Sequence, residues 1–409
     1  MMFYKQTVVL TGVVFMAATG YIMRLEQMYF MAAVVGLVAV GSYVVCALSV
    51  RGVQVRRGPT RRLYEGEWCE IKLTVANASR LPKVFLGVAD APPQWLEPAG
   101  PSRFLVPMLM PGRSVELSYR ARAAKRGAYP LGPVMLSATD LLGAFRVERR
   151  LETTPEAEVI VYPSVARVAP TPLGGMPGFG GVETERLSTS GAGLEFYGIR
   201  DYRPGDALRR IHWPSTARLR HFAVVEFEES LGADVVIALD LRRGTEFGAG
   251  KDTSLELAIK AAAALATYAA DNGAQVVVAA QDARRRYLVS ARRREELPPL
   301  LEALARMEAD GETPLPRVMA QIGELVAGAS AVLLTAAPDE ATAGAVEGWI
   351  RRRAQVAAVL FDAESWGAQA AGDVYALSRR LEAAGAQVEI YRRGEDLEGL
   401  LGRTVSHAA

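Results

Sequence analysis

A chain of 409 residues with 47 basic and 45 acidic side chains carries a formal charge of only +2, too small a bias to draw it toward nucleic acid or another polyanion. Two cysteines, Cys46 and Cys69, exclude a disulfide-stapled scaffold and fit a reducing compartment for the polar part of the chain. The length is that of two or three domains, with ample chain for buried cores.

The first predicted elements are apolar helices. Gln6 to Met23 carries no charge, and Met28 to Val50 is a longer charge-free run, with only Arg24-Leu25-Glu26-Gln27 between them. At roughly 20 residues per bilayer crossing, residues 1–50 are expected to form a transmembrane hairpin. A cleaved signal peptide competes for the first run, but a second apolar run follows at once and Lys5 is the only basic residue ahead. Arg51, Arg56, Arg57, Arg61 and Arg62 follow the second run with no acid among them. Positive charge stays inside, so the chain is expected in the cell membrane as a two-pass protein with both termini cytoplasmic. The same arginines can meet anionic lipid, although solvated flank accounts for most of them.

Beyond the hairpin the hydrophobic period shortens to two. Cys69, Ile71, Leu73 and Val75 alternate with Glu70, Lys72 and Thr74, and Val115, Leu117, Tyr119 and Ala121 alternate with Glu116, Ser118, Arg120 and Arg122. Each run predicts a strand with one face inward. Turn clusters at Glu65-Gly66, Pro92-Pro93, Pro111-Gly112 and Gly127 space such runs as in a β-sandwich, assigned to residues 51–162. Residues 163–194 are rich in Gly and Pro and read as a linker. Their glycines lack the following Lys-Ser or Lys-Thr that a phosphate-cradling loop would need.

Residues 195–232 concentrate aromatic and charged side chains. Pro204-Gly205 presets a turn, and Asp206 can cap a short helix, Ala207 to Trp213, that Pro214 stops. Between Glu195 and Glu229 six arginines face six acids. That balance argues against a nucleic-acid groove and suits Arg forks clamping carboxylates, with Tyr197, Tyr202 and Trp213 filling a half-buried surface. Asp201 and Asp206 are conceivable as a hydrolytic pair, but the neighbouring arginines would hold both ionised. His212 and His221 have no Cys or third His beside them, and His407 lies in the terminal tail. No catalytic residue is therefore assigned.

The order Tyr197, Arg200, Tyr202, Gly205, Asp206, Arg209, Ile211, Trp213, Ala217 and Arg218 resembles the signature of the bacterial family catalogued as domain of unknown function 58. Arg126-Gly127-Ala128-Tyr129-Pro130-Leu131-Gly132-Pro133 and Asp140-Leu141-Leu142-Gly143-Ala144-Phe145 look like further landmarks of it. On its charge balance the signature reads as a structural or partner-binding clamp, with a ligand-binding surface as the alternative. The partner that the resemblance implies is a MoxR-type AAA+ ATPase, sometimes with a transglutaminase-like membrane protein. The resemblance also implies a von Willebrand factor type A-like domain after the signature.

Residues 233–395 carry the alternation such a domain needs. Asp234–Leu241, Gln275–Ala280, Ser330–Thr335, Gln355–Phe361 and Gln387–Tyr391 are strand candidates with helical stretches between them. Thr253-Ser254-Leu255-Glu256 is a capping box opening a helix that Asn272-Gly273 closes. Near-continuous apolar strands with intervening helices imply a parallel sheet covered on both faces. The resemblance implies a cation site, Asp-x-Ser-x-Ser, after the first strand, where hard oxygen ligands hold a divalent ion. Here the stretch reads Asp240-Leu241-Arg242-Arg243-Gly244, so an arginine and a glycine stand at the serine places. No metal and no cofactor are expected, and Asp240 is expected to pair with an arginine. Residues 396–409 read as a tail.

The sequence thus reads as an α/β protein: a transmembrane hairpin, an all-β sandwich-like domain and a von Willebrand type A-like (Rossmann-like) parallel-sheet domain. Its expected role is a membrane-anchored cytoplasmic scaffold that binds protein partners in envelope-related assembly or maturation, and not an enzyme. A hydrolase acting near the envelope through the signature carboxylates is the alternative.

Overall fold

The computed structural model describes residues 2–58, 62–140, 143–152, 158–168, 194–201, 216, 223–229, 234–337, 339–368 and 373–406. The chain divides into two compact units: Met1–Ser164 with Leu304–Arg306, and Val165–Ala303 with Met307–Ala409.

The first unit begins with helices α1 (Met2–Met23) and α2 (Glu26–Ser49). Both are long and apolar enough to cross a membrane, and few of their described residues are buried. A turn at Arg24, whose φ of 55° is left-handed, folds them against each other. Eleven strands follow: β1 (Val53–Arg57), β2 (Arg62–Tyr64), β3 (Trp68–Asn77), β4 (Lys83–Asp90), β5 (Leu96–Pro98), β6 (Arg103–Leu109), β7 (Ser114–Ala123), β8 (Gly127–Pro130), β9 (Val134–Thr139), β10 (Arg146–Leu151) and β11 (Glu158–Tyr162). They form two four-stranded antiparallel sheets, β1-β3-β7-β5 and β10-β9-β4-β6, and a three-stranded sheet, β2-β11-β8. The two alternating runs singled out in the sequence are β3 and β7, paired antiparallel with Val75 opposite Val115 and Cys69 opposite Ala121. Their inward residues Leu73, Val75 and Ala121 share one core with Leu86, Val88 and Leu136 of the other sheet. Burying that apolar set supplies the main stabilisation, at about 25 cal/mol per Å². Cys46 and Val50, at the end of α2, belong to the same core.

The second unit opens with β12 (Leu194–Asp201) paired antiparallel to β13 (Ala223–Glu229). Then come β14 (Val235–Leu239), a short ladder of β15 (Gly248–Ala249) and β16 (Asp252–Thr253), and helix α3 (Ser254–Asp271). The remaining elements are β17 (Val276–Gln281), β18 (Arg286–Ala291), α4 (Leu297–Arg306), α5 (Leu315–Gln321), β19 (Ser330–Thr335), α6 (Glu340–Arg351), β20 (Gln355–Phe361), α7 (Val374–Ala383), β21 (Gln387–Tyr391) and α8 (Leu397–Ser406). A six-stranded sheet runs in the order β18-β17-β14-β19-β20-β21. Five strands are parallel. The sixth, β18, is antiparallel to β17 and lies at an edge, so the sheet is mixed. On one face Val236, Ala238, Leu333 and Ala358 pack against Leu315, Met319, Trp349 and Leu377 of α5, α6 and α7. Helices α3 and α8 make contacts to the sheet as well, through β14, β17 and β21. Every side chain of β14 is buried, which is why that strand reads as an unbroken apolar run. The segment 396–409, expected as a tail, instead contains α8, whose Leu400 and Leu401 are fully buried.

Candidate functional site at the carboxyl edge of the mixed sheet

The chain leaves β14 to build β17 on one side and returns to build β19 on the other, so the direction of winding reverses between β14 and β19. In open α/β sheets a crevice for ligands opens at such a point, outside the carboxyl ends of the strands. Asp240 follows β14 and Thr335 ends β19, and Thr335 Oγ1 lies 3.0 Å from Asp240 Oδ2. Asp240 Oδ1 accepts the Arg242 backbone N–H at 3.1 Å. The carboxyl is buried, and that burial raises its pKa above the ordinary aspartate range; the bonds from Arg242 and Thr335 oppose the shift.

The turn after Asp240 is fixed by its own backbone. Thr245 N and Oγ1 both donate to Arg242 O, at 3.1 and 2.7 Å. Gly244, third in this turn, has φ of 85°, a left-handed conformation that a side chain resists and that a type II turn requires. A ligand serine at that place would sit on strained backbone. Gly311 is held by close approach: a Cβ there would fall 2.7 Å from Gln281 O and 3.0 Å from Leu241 O. Across the crevice, Asp339 caps α6 by accepting the Ala341 N–H at 2.9 Å, and its other oxygen lies 3.6 Å from the Arg242 guanidinium.

Neighbouring strand ends repeat the pattern. Asp282, after β17, accepts the Tyr287 hydroxyl at 2.6 Å and the backbone N–H groups of Arg284 and Arg285 at 2.8 Å. Burial first, then the bond to Asp282, pushes the Tyr287 hydroxyl up to about 12. Asp362, after β20, caps the turn Ala363–Trp366 by accepting the Glu364 N–H, and lies 3.6 Å from Arg392 Nε.

These residues do not fit a divalent cation. Asp240 and Thr335 offer oxygens, but Gly244 offers no side chain, Arg242 brings a positive charge beside them, and Asp339 is both a helix cap and the partner of that charge. Among the described residues no three His, Cys, Asp or Glu side chains cluster as a metal set. What the arrangement does chemically is tie the ends of β14 and β19 together through the Thr335 hydroxyl; Asp240, expected to pair with an arginine, takes only the Arg242 backbone N–H, and the Arg242 guanidinium goes to Asp339 instead.

The predicted signature residues fall elsewhere. Tyr197 and Arg200 lie on β12, with Arg200 opposite Val224 and a register irregularity between Phe196 and Gly198 that takes in Tyr197. Irregularities of this kind are common beside functional sites. Tyr202, Gly205, Asp206, Arg209, Ile211, Trp213, Ala217 and Arg218 lie outside the described residues, as do His212, His221, His407 and the predicted helix 207–213. Thr335, Asp339, Asp282 and Asp362 were not singled out in the sequence. Their signal is an apolar run that stops at an Asp or Thr, and it recurs at β14, β17, β19 and β20.

Fold and site define a two-unit α/β protein with two helices of membrane-crossing length and an Arg242–Asp339 ion pair at the switch point of its sheet. Residues 198–337 match the family described as Protein of unknown function DUF58. The chain is 22% identical over 189 residues to the uncharacterized protein YeaD of Bacillus subtilis, a match taking in 44% of this chain and 45% of that protein's length. Among solved structures, the PapD-like domain 7 of human CEP192 aligns at 12% identity over 28% of this chain and 89% of its own, with a TM-score of 0.20. The alpha-2-macroglobulin of Escherichia coli, from domain MG7 to its C-terminus, aligns at 14% identity over 81% of this chain and 41% of its own, with a TM-score of 0.23. Scores this low carry neither fold nor function.

Proposed function

We propose that the chain is a membrane-anchored scaffold whose polar units lie in the cytoplasm and bind a protein partner, a MoxR-type AAA+ ATPase in the first instance, in envelope assembly or maturation. The observation that carries this reading is the crevice beside Asp240. In an enzyme of this architecture that position holds substrate or metal. Here the groups at the strand ends bond each other, Thr335 to Asp240 and Arg242 to Asp339, so the sheet serves as a platform. Recognition then falls to surfaces such as the signature, where Arg and Trp are the residue types that anchor interfaces.

The test measures melting temperature and partner capture together on full-length protein purified from native membranes. Asp206→Ala is expected to lose about 1 kcal/mol of stability as a lost cap. Arg200→Ala and Trp213→Ala are expected to keep the melting temperature and lose most of the captured ATPase. Variants that stay stable and partner-competent while a hydrolytic turnover disappears would replace the scaffold with an enzyme.

A further inference from the structure

Helix α2 does not end in solvent. Its last two turns run along the β-domain of the first unit, and the two sides of the helix differ there. Cys46, Ser49 and Val50 are buried in that domain, whereas Val44, Val45 and Leu48 on the same turns remain exposed and apolar. The grip is polar as well. Lys83, the first residue of β4, is fully buried and donates its ammonium to Leu48 O at 2.6 Å, capping the carbonyl end of the helix. Arg149 Nη1 reaches Val50 O at 3.4 Å, and the Tyr43 ring meets Phe145 edge-on at 6.2 Å.

Lengths set the depth. Met28 to Ser42 spans about 22 Å at 1.5 Å per residue, short of a hydrocarbon core about 30 Å thick. The crossing therefore needs the turns that the β-domain also holds, and their exposed valines need lipid. At that depth one side of α2 is bilayer and the other is protein. The end of the β-domain that grips the helix thus stands at the level of the lipid headgroups.

That end has a composition to match. Leu81, Met108 and Met110 are each about half exposed, and Phe85, held at a left-handed φ of 49°, is exposed beside them. They lie together: Met108 pairs with Val84, next to Lys83, and the Asn77 side-chain amide donates to both Leu81 O and Leu109 O. From Ile71 to Ala89 and from Pro98 to Val115 there is no carboxylate, while Arg80 and Arg113 stand exposed in the two loops. Strand β6 is a sheet edge, and exposed apolar side chains on an edge invite pairing unless something covers them.

On the reading that α2 spans the membrane, we infer that this rim, Leu81, Phe85, Met108 and Met110 with Arg80 and Arg113 at its margin, is a second membrane contact that enters the interface of an anionic bilayer. Apolar side chains ringed by arginine and free of acid match a lipid surface, where shallow insertion and headgroup attraction add. The contact fixes the domain against the bilayer.

The experiment uses the full chain in vesicles of phosphatidylcholine and phosphatidylglycerol. Cys46 and Cys69 are buried, so single cysteines placed by Leu81→Cys, Met110→Cys, Leu37→Cys and Glu97→Cys take a bimane label selectively. Glu97 pairs with Arg122, at the far end of β7 from the rim, and reports the aqueous side. Labels at 81 and 110 are expected to be quenched several-fold more by headgroup-proximal lipid nitroxide than the label at 97, and several-fold less by aqueous iodide. A lipid-quenched label at 37 with iodide-exposed labels at 81 and 110 would overturn the rim and leave the spanning helix standing. Labels at 81 and 110 shielded from both quenchers would mean a protein covers the rim, which also overturns it. A label at 37 that nitroxide carried along the lipid acyl chain does not reach would remove the spanning helix and the rim together.

Discussion

Asp240 shows how one residue can locate a site and close it. Its burial raises the carboxyl pKa, so the folded protein holds that proton more tightly than the unfolded chain does. A raised folded-state value gives stability that is fully present below the unfolded pKa and is lost as pH rises through the folded one. Asp240→Asn has no proton to exchange. The melting temperature of the native protein minus that of the variant should therefore grow as pH falls from 7 toward 4, and a difference that shrinks in that direction would reverse the assignment. The same position bears on metal. With Arg242 and Gly244 at the ligand places, magnesium or calcium at millimolar levels should leave the melting temperature unchanged, since a ligand that does not bind cannot shift the folding equilibrium. A dose-dependent rise would refute this. Of this site the sequence made Asp240, Arg242 and Gly244 legible, because they are adjacent in the chain. Thr335 and Asp339 come from nearly a hundred residues away, and only the β14–β19 pairing brings them in.

Elements were legible where local chemistry and burial agree. Helix α3 begins where its capping box predicts, with Thr253 Oγ1 accepting the Glu256 N–H at 3.2 Å. It ends in a Schellman turn, with Gly273 at φ of 73° and the Ala274 N–H returning to Ala269 O. Thr253→Ala should cost about 1 kcal/mol, read as a lower denaturant midpoint with an unchanged slope. Strands β14, β17, β19 and β20 were visible because they are buried on both faces, and β21, half-buried at the other edge, keeps a short β-branched run. Strand β18 was not: at the sheet edge its burial alternates, so Arg286-Tyr287-Leu288-Val289-Ser290-Ala291 lacks the apolar run of its neighbours. Helix α8 was missed because the Gly-containing stretch Leu397–Gly402 has weak helix propensity, and the burial of Leu400 and Leu401 overrides it. The parallel pairing of β2 with β11 joins segments almost a hundred residues apart and leaves no local mark.

For the whole molecule, on the proposed membrane anchoring, the orientation of α1 and α2 decides which compartment every other surface meets. Arg51, Arg56, Arg57, Arg61 and Arg62 follow α2 with no acid among them, whereas between the two apolar runs Arg24 is offset by Glu26, the first residue of α2. In the folded protein Arg57 is no longer a free flank charge, since it pairs with Asp90 inside the β-domain. Insertion reads the chain before that pair forms, so Arg57 still counts toward retention. On the proposed two-pass topology the chain returns to its starting side, and the β-domain that grips the end of α2 stays on the side of the carboxyl terminus. A fluorescent protein fused after His407 should therefore glow, and alkaline phosphatase fused there should be inactive. Replacing all five arginines with glutamine should raise the phosphatase signal, because the bias that holds the flank inside is gone. Phosphatase activity in the unaltered chain would place the termini outside, and the proposed cytoplasmic partner would be lost with that reversal.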